Sequence, residues 1–401
     1  MRPARDRAML GRVNQKALFS RFLSAAPRRL HLAAHSHHYW PDVTLEAQQT
    51  AWLDAALLAD EKWERVFGQV LPSCQQHVAR ILNLPDPASI AFGPNTHEFL
   101  VRILSSFDPR RPHKILTTDG EFHSAARQFA RLEEEGLAEI TRVSTRPFDT
   151  FEARFREAAA EGGFDLAYVS HVFFDSGFAV RDLSAIAGAV RDEATVIVID
   201  GYHGFCALPT DLSPIASRVF YVSGGYKYAM AGEGCCFVHA PDCWVMRPRA
   251  TGWMASFGAL AQAQAGAVPY ASGGARMMGA TFDPSGLYRL NAAMDLLVRE
   301  SIDIGAIHAH VHALHARFVD GLGRHPEHPL KPEALVVPIR ETSRGHFLTY
   351  ELPNAAEVQA RLLDAQIVTD VRGNRLRFGF ALYHDSDDAD EAAERVAAAL
   401  A

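Results

Sequence analysis

The sequence has few cysteines, no long apolar run and no excess of positive charge. Because no run approaches the ~20 apolar residues of a membrane span, no spanning helix is expected. A formal net charge of −7 excludes the basic footprint typical of nucleic-acid binding. The cysteines are Cys74, Cys206, Cys235, Cys236 and Cys243, and none has the Cys-x-x-Cys spacing of metal sites. We therefore expect buried thiols in a reducing compartment, which favours the cytoplasm.

The length of 401 residues, 48% of them hydrophobic, suits one large and one small domain around a sizeable core. No internal repeat or low-complexity segment is present. Residues 1–29 are rich in arginine and nearly free of acids. We interpret this segment as an amphipathic surface helix and not as a transit peptide, because no apolar signal core follows it.

The centre of the chain pairs an acid with an amine. Three short apolar runs, at 196–199, 219–222 and 235–238, have the length and β-branched content of buried strands. Asp200 ends the first run, and Lys227 follows the second in a glycine-rich turn. Ligands of open α/β sheets bind beyond the carboxyl ends of the strands. The carboxylate and the amine are therefore expected to face one crevice.

Pyridoxal phosphate needs such a pair. A lysine forms a Schiff base with the cofactor aldehyde, and an acid near the pyridine nitrogen keeps that nitrogen protonated. A strand ending in aspartate with a lysine further along also occurs in α/β proteins without a cofactor, so the spacing leaves both interpretations open. Glycines within 224–234 and the flanking Tyr226 and Tyr228 favour the cofactor.

A phosphate site is predicted where a helix follows the strand at 89–92. Asn95 or Thr96 can cap this helix, and its first N–H groups are then free to bind an anion. An ordinary capped helix is the alternative. A second strand-to-helix junction carries Phe122 and His123, where an aromatic ring stacks on a planar cofactor or packs the helix start.

Strands and helices alternate through this half of the chain, which predicts an α/β fold with a parallel, doubly wound sheet. Further strands are expected at 114–117, 140–143 and 166–172, and helices at 151–160 and 182–193.

Histidines cluster twice. The run His-Leu-Ala-Ala-His-Ser-His-His-Tyr at 31–39 lacks the helical spacing of zinc proteases, so we interpret it as a loop that lines a polar cleft. The histidines at 308, 310, 312 and 315 have no acids beside them, and we interpret them as surface residues. No metal site is expected.

The pattern loosens after residue 240. The segment 241–279 is longer than an ordinary connecting loop, so we expect it to have a functional or subunit-contact role. An α+β pattern follows. We therefore expect a large domain at 30–285 and a small domain at 286–401, with residues 1–29 joined to the small one.

The last part of the chain includes strands predicted at 335–339 and 346–352 and two arginines, Arg375 and Arg377, on one face of a later strand. An arginine fork matches a carboxylate with two hydrogen bonds. A surface salt bridge is the alternative.

Four motifs are more specific than any single residue: DGYHGFCALPTDL at 200–212, YKY with AGEG at 226–234, TGW at 251–253 and VTDVRGNRLRFGFALY at 368–383. In this order and spacing they resemble the fold-type I pyridoxal-phosphate enzymes of the class V aminotransferase family, and most of all the kynureninases. The resemblance covers nearly the whole chain from residue 31. It implies a large domain with a mostly parallel mixed sheet between helices, and a smaller α+β C-terminal domain.

The resemblance implies roles around the cofactor ring. Lys227 matches the Schiff-base lysine, and Asp200 matches the partner of the pyridine nitrogen. His203 matches a histidine beside that aspartate. Phe122 matches the phenylalanine that stacks on the ring, with His123 as a lesser candidate because desulfurase relatives have histidine there.

The resemblance also implies a phosphate site and a homodimer. Asn95, Thr96 and Tyr226 match phosphate-binding positions. Trp253 and Thr281 match residues that reach the phosphate, the threonine coming from the neighbouring subunit. Two shared active sites in an obligate homodimer follow from that match.

Arg377 matches the arginine that holds the substrate α-carboxylate. Two departures concern the rest of the substrate. No histidine follows the Gly-Trp motif, and Phe173 and Phe174 replace the asparagine and tyrosine of the kynureninase pattern. Both changes remove polar contacts, so the resemblance predicts the cofactor more strongly than the substrate.

The expected chemistry begins with removal of an amino-acid α-proton by Lys227. A kynureninase-like hydrolase or β-lyase is the first expectation, and a class V aminotransferase is the second. A cysteine or selenocysteine lyase is the third, since no cysteine follows Cys243 to act as a desulfurase nucleophile. The alternative outside enzymes is a catalytically silent binding protein on the same fold.

Overall fold

The computed structural model describes residues 15–242, 244, 246–259 and 266–401. Cys243 and residues 1–14, the first half of the predicted N-terminal helix, lie outside these ranges. Within them no helix is both long and apolar enough to cross a bilayer.

A seven-stranded mixed sheet forms the centre of the fold. The described strands of the chain are β1 (Leu30–His31), β2 (Ile90–Gly93), β3 (His113–Thr118), β4 (Ala138–Val143), β5 (Leu166–Ser170), β6 (Val196–Asp200), β7 (Val219–Gly224), β8 (Cys236–His239), β9 (Leu348–Glu351), β10 (Ile367–Val368), β11 (Asp370–Arg372) and β12 (Arg375–Phe378). The large sheet has the order β2-β8-β7-β6-β5-β3-β4. Strand β8 pairs antiparallel with both β2 and β7, and the other described pairs of this sheet are parallel, which confirms the mostly parallel mixed sheet.

Helices cover this sheet and build the C-terminal part. They are α1 (Ser20–Ala25), α2 (Val43–Leu58), α3 (Lys62–Arg65), α4 (Leu71–Leu82), α5 (Thr96–Ser105), α6 (His123–Glu134), α7 (Phe148–Glu161), α8 (Leu183–Ala189), α9 (Ser285–Arg299), α10 (Ile304–Leu322), α11 (Ala355–Asp364) and α12 (Ser386–Leu400). Side-chain caps begin several of them: Asn95 accepts from the Glu98 amide at 2.9 Å and Asp303 from the Ala306 amide at 2.7 Å. These caps match the sequence pattern at each helix start.

The C-terminal part is α+β, as expected. Strands β11, β12 and β9 form an antiparallel sheet, and α10 packs on α12. Strand β1, near the N-terminus, pairs with β10 in parallel, so an N-terminal segment packs on the C-terminal part. Helix α9 packs on α2 and α4. The division of the chain at residue 285 stays a prediction.

The prediction of a strand at 335–339 is wrong. These residues are described, and Leu335 makes one isolated bridge to Tyr350 while Val336 donates to the Thr349 carbonyl at 2.9 Å. Pro338 has no N–H to continue a ladder, so pairing ends there. The predicted strand at 346–352 is present as the shorter β9.

The carboxyl ends of β5, β6 and β7 lie side by side. In the parallel register Ser170 is opposite Asp200, and Asp200 is opposite Val222. The apolar β-branched runs are buried on both faces, and the polar residues follow where each run stops. This edge of the sheet therefore gathers the site residues.

Candidate active site

Lys227 lies in a tight turn between β7 and β8. The Gly225 amide donates to the Cys235 carbonyl, and the Ala231 amide donates to the Gly225 carbonyl at 2.8 Å. Gly232 has φ +72° and lies against the Trp40 ring, where a Cβ has no room. Glycine is therefore required at this point of the turn that presents the lysine.

The Lys227 amine is buried among rings. It shares a hydrogen bond with His203 Nε2, and it lies 5.8 Å from the Phe122 ring centroid and 5.6 Å from that of Tyr202. Burial, followed by the nearby Arg377 charge, lowers the pKa of Lys227 to about 7. Much of the amine is therefore neutral at neutral pH.

Asp200 lies at the end of β6. Its carboxylate accepts hydrogen bonds from the Tyr168 hydroxyl at 2.8 Å and from the Tyr202 amide at 2.9 Å. Burial raises its pKa, while both hydrogen bonds and the Lys227 charge act in the opposite direction. A buried carboxylate with two donors is suited to hold a cationic N–H.

His203 connects these groups to the C-terminal part. Its ring lies 5.3 Å from Phe347 and 6.3 Å from Tyr228, and its Nδ1 has no hydrogen-bond partner among the described residues. Burial, then the Lys227 and Arg377 charges, hold its pKa well below the ordinary value. The imidazole is therefore neutral beside the amine.

Phe122 presents an open ring at the N-cap of α6. Its side chain is 40% exposed and packs edge-on against Phe174 at 5.3 Å. Most large aromatic residues of this fold are buried, so an exposed ring facing the Lys227 amine is available for stacking. His123 packs on Phe174 as well, at 5.0 Å.

The start of α5 reaches the same pocket. The Thr96 backbone hydrogen-bonds the Cys236 thiol, and Tyr202 Oη lies 3.4 Å from that sulfur. Gly224 faces both groups with no space for a Cβ. Tyr202 also lies near Lys227, so it connects the start of α5 with the amine.

Tyr226 is half-buried, 5.7 Å from the His37 ring. Trp253 and Thr281 form a pair of their own: Trp253 Nε1 donates to the threonine hydroxyl at 3.0 Å. The described ring partners of Trp253 are Trp63 and Phe257. The structure therefore brings the last two predicted phosphate residues together with each other and not with Lys227.

Arg377 lies on β12, 2% exposed. One guanidinium nitrogen donates to the Phe174 carbonyl and another to Asp370, while Nε has no partner among the described residues. Its neighbour Arg375 pairs with Asp175 instead. The buried, unpartnered Nε–H leaves Arg377 able to receive a carboxylate.

Sequence reasoning missed several neighbours of this arginine. Phe347 lies beneath the guanidinium at 5.6 Å and stacks on His35 at 4.7 Å. Both nitrogens of the fully buried His35 lack a hydrogen-bond partner in the described structure, and Nε2 lies 3.7 Å from Asp370. The DVR motif seven residues before Arg377 was the available signal for Asp370. Nothing local indicated Phe347.

The histidine-rich loop lines a cavity, but apolar side chains make up most of the exposed wall, so the expected polar cleft is only partly present. The cavity holds about 510 Å³ and includes His31, Ser36, His37, Thr369 and Asp370 in its wall. Its wall residue Asp370 is hydrogen-bonded to Arg377.

The second histidine group is partly misread from sequence. His315 is fully buried on α10, and His308 Nδ1 lies 3.1 Å from His346 Nε2. The segment that ends at His346 covers this side of the helix, which a single apolar stripe does not reveal. Across the described residues, no group of three histidines, cysteines or acids is arranged to hold a metal ion.

The residues present fit pyridoxal phosphate. An amine whose pKa is lowered by burial, an exposed aromatic ring and a buried carboxylate lie near one another, and the His203 Nδ1 beside the amine lacks a partner among the described residues. Fold and site together define a pyridoxal-phosphate-dependent enzyme of fold type I.

Sequence comparison places the chain within this class. Residues 55–337 match the aminotransferase class-V family model, and residues 307–396 match that of the kynureninase C-terminal domain. The chain belongs to the class-V aminotransferase family. Its cofactor is pyridoxal 5′-phosphate.

Individual relatives from this family match parts of the chain at moderate sequence identity. The chain is 29% identical to a kynureninase from Deinococcus radiodurans over 66% of its own length and 64% of that protein. It is 24% identical to the cysteine desulfurase IscS of Shewanella sediminis over 41% of each chain. These matches span less than two thirds of the curated relatives.

Solved structures share the fold. The cystine C-S lyase C-DES, in complex with cysteine persulfide, has a TM-score of 0.77 at 17% identity and covers 94% of this chain and 99% of its own. The cysteine desulfurase CsdA of Escherichia coli has a TM-score of 0.77 at 16% identity, with 96% and 98% covered.

Proposed function

We propose that this enzyme removes the α-proton of an amino acid and then acts as a kynureninase-like hydrolase or β-lyase. The observation that carries the proposal is the buried Lys227 amine, with its pKa near 7, held between His203 and the Phe122 ring. A base is most effective when its pKa is close to the working pH.

The bound cofactor withdraws electrons from the substrate α-carbon. In the proposed site Lys227 holds it covalently, Phe122 stacks on its ring and Asp200 keeps a proton on the pyridine nitrogen. The α5 start at Thr96, together with Tyr226, binds the phosphate. Tyr168 and the Tyr202 amide orient Asp200, which supports its role as the fixed charge of the site.

Arg377 is the proposed site for the α-carboxylate. Its Nε–H is buried without a partner, and the aromatic ring of Phe347 lies against the guanidinium plane. Asp370 pairs with another nitrogen of the same guanidinium, so it fixes the fork while leaving Nε free. A bidentate carboxylate needs one further N–H besides Nε, and the fork supplies it.

The match to a kynureninase C-terminal domain favours hydrolysis over transamination for the second half of the reaction. The described cysteines are all buried, and no cysteine follows Cys243 in the sequence. This argues against a desulfurase that transfers sulfur through its own thiolate. A cysteine or selenocysteine lyase that releases its product directly is the remaining alternative.

The experiment is a visible spectrum of the purified enzyme before and after L-kynurenine, with anthranilate measured in the product. Release of anthranilate supports the hydrolase. If L-kynurenine gives no anthranilate but other amino acids yield alanine or pyruvate, the enzyme is a β-lyase or a transaminase with a different substrate. Lys227→Ala is the control, and it should lose the imine absorbance and all turnover. A protein that takes up no pyridoxal phosphate would overturn the assignment.

A homodimer in the cytoplasm is part of the same proposal. Helix α2 exposes Trp52 at 69% and Leu57 at 80%, beside Leu45 and Leu53. An apolar helix face of this kind is expected to be covered by another surface. A second copy that supplies Thr281 to the phosphate region fits it, and sedimentation of the holoenzyme should give twice the chain mass.

A further inference from the structure

A second carboxyl group lies behind the proposed cofactor ring. Glu121, 4% exposed, precedes Phe122 in the turn between β3 and α6. Its Oε1 accepts from the Thr118 hydroxyl at 2.7 Å and from the Ser170 amide at 3.2 Å. Its Oε2 is 2.6 Å from the Ser170 hydroxyl. One side chain thus joins the ends of two strands.

The position of Ser170 places this carboxyl beside the proposed partner of the pyridine nitrogen. Ser170 is opposite Asp200 in the parallel β5–β6 register. The charge of Asp200 acts on Glu121, and both act on the Tyr168 phenol. The negative charge of Asp200 therefore opposes ionisation of the buried Glu121 carboxyl.

We propose that Glu121 is a positioning residue of the cofactor site, an uncharged acid that ties the turn carrying Phe122 to the strand end beside Asp200. The inference rests on the proposed roles of Phe122 and Asp200. This role accounts for a buried carboxyl directly before the exposed Phe122 ring, because the hydrogen bonds of Glu121 hold the turn in place. The Gly120 amide of the same turn also donates to the Thr118 hydroxyl at 3.1 Å, whereas the described hydrogen bond of the Ser170 hydroxyl goes to Glu121.

The electrostatics agree with an uncharged acid. Burial raises the pKa of Glu121 to about 8, and the Asp200 charge adds to that effect. The hydrogen bonds from Ser170 and Thr118 act in the other direction but are outweighed. The proton on Glu121 therefore leaves Asp200 as the single negative charge behind the ring at neutral pH.

Glutamine distinguishes the two charge states. In Glu121→Gln the amide oxygen accepts from Thr118 and from the Ser170 amide, and the amide nitrogen donates to the Ser170 hydroxyl. Glutamine therefore keeps every hydrogen bond that a protonated Glu121 makes. It does not replace a carboxylate, because the Ser170 hydroxyl would then meet a donor in place of an acceptor.

The test titrates pyridoxal 5′-phosphate into the cofactor-free full-length protein and measures its dissociation constant by absorbance from pH 6.5 to 9.5. At pH 7, Glu121→Gln should bind within about twofold of the parent and Glu121→Ala about tenfold more weakly. As the pH rises through 8 the parent should lose affinity relative to Glu121→Gln. Glu139→Gln, which removes an exposed charge from neighbouring β4, is the control and should follow the parent.

Two results would overturn the inference. One is equal weakening by glutamine and alanine at pH 7, which would mean that Glu121 works as an anion. The other is an identical pH profile for the parent and Glu121→Gln, which also decides the matter where Glu121→Ala does not fold. Because the readout is cofactor binding and not turnover, an enzyme inactive on kynurenine leaves this test intact.

Thermal unfolding of the cofactor-free protein is a second readout. An acid whose folded pKa is raised from 4.5 to about 8 loses its stabilising contribution as pH rises over that interval. The melting temperature of Glu121→Gln minus that of the parent should therefore increase between pH 5 and 8. A constant difference would contradict an uncharged Glu121.

Discussion

Two buried polar clusters flank Lys227, and they are satisfied in opposite ways. The carboxyl cluster, Glu121 and Asp200, makes at least one hydrogen bond at each of its four oxygens. The imidazole cluster is joined through Phe347 and Tyr228 and consists of His35, His38, His203, His312, His315 and His346. Three of its rings have at least one nitrogen without a partner among the described residues.

The difference teaches what each cluster does near the amine. Strand ends supply donors to the carboxyls, so their geometry is fixed by hydrogen bonds. Four of the imidazoles make a hydrogen bond as well, but His35 and His315 are held by ring packing alone. Burial keeps the pKa of every member low. Uncharged rings between Arg377 and Lys227 leave the desolvation of the amine intact, which supports its neutral form.

The largest expected effect is acid unfolding through the imidazole cluster. Burial lowers the folded pKa of His38 to about 4 from 6.5, so the folded protein binds fewer protons than the unfolded chain. Stability is therefore present above pH 6.5 and is lost as pH falls toward 4. Between pH 7.5 and 5 each such histidine should cost about 2 kcal/mol in the free energy of unfolding.

Urea unfolding at pH 7.5 and 5 measures this. The carboxyl cluster has the opposite sign, because the stabilising contribution of Glu121 grows as pH falls from 8 to 4.5. The loss should therefore be larger in Glu121→Gln than in the parent. An unfolding free energy that is unchanged at pH 5 in both proteins would show that the imidazoles are not held neutral.

The next largest effect is expected from a substitution in the carboxyl cluster. Asp200→Asn keeps the size of the side chain but removes the negative charge behind the ring. The turnover number should fall about 10²–10³-fold, since a preorganised charge at a developing one contributes several kcal/mol. Steady-state kinetics measures the loss, and Asp364→Asn on the exposed end of α11 is the control. A loss of threefold or less would remove Asp200 from the proposed role.

The sequence predicted that Asp200 and Lys227 lie close together, for a physical reason. Asp200 and Lys227 follow strands that are continuous apolar runs, and parallel strands bring their carboxyl ends together. Glu121 escaped notice because its partner Ser170 lies 49 residues away. Periodicity and capping rules see only neighbours within a few turns.

The imidazole cluster was harder still. The loop containing His35 was expected to line a cleft, and it lines a cavity, but the stacking of His35 on Phe347 depends on a pairing across more than 300 residues. His315 was interpreted as exposed because no acid lies beside it in the sequence. The helix is covered on a second side by the stretch up to His346, which no local pattern encodes.

The smallest expected effect sharpens the comparison inside the imidazole cluster. His315 is fully buried, and neither ring nitrogen has a partner among the described residues, so His315→Leu removes two unsatisfied polar atoms at similar volume. It should stabilise the protein by about 1 kcal/mol in urea unfolding at pH 7.5. His346→Leu should destabilise it by about as much, because it leaves His308 Nδ1 without its 3.1 Å partner. If both variants destabilise equally, ring packing against Phe380 and His312 outweighs the cost of the unpaired nitrogens, and the two clusters differ less than their hydrogen bonds indicate.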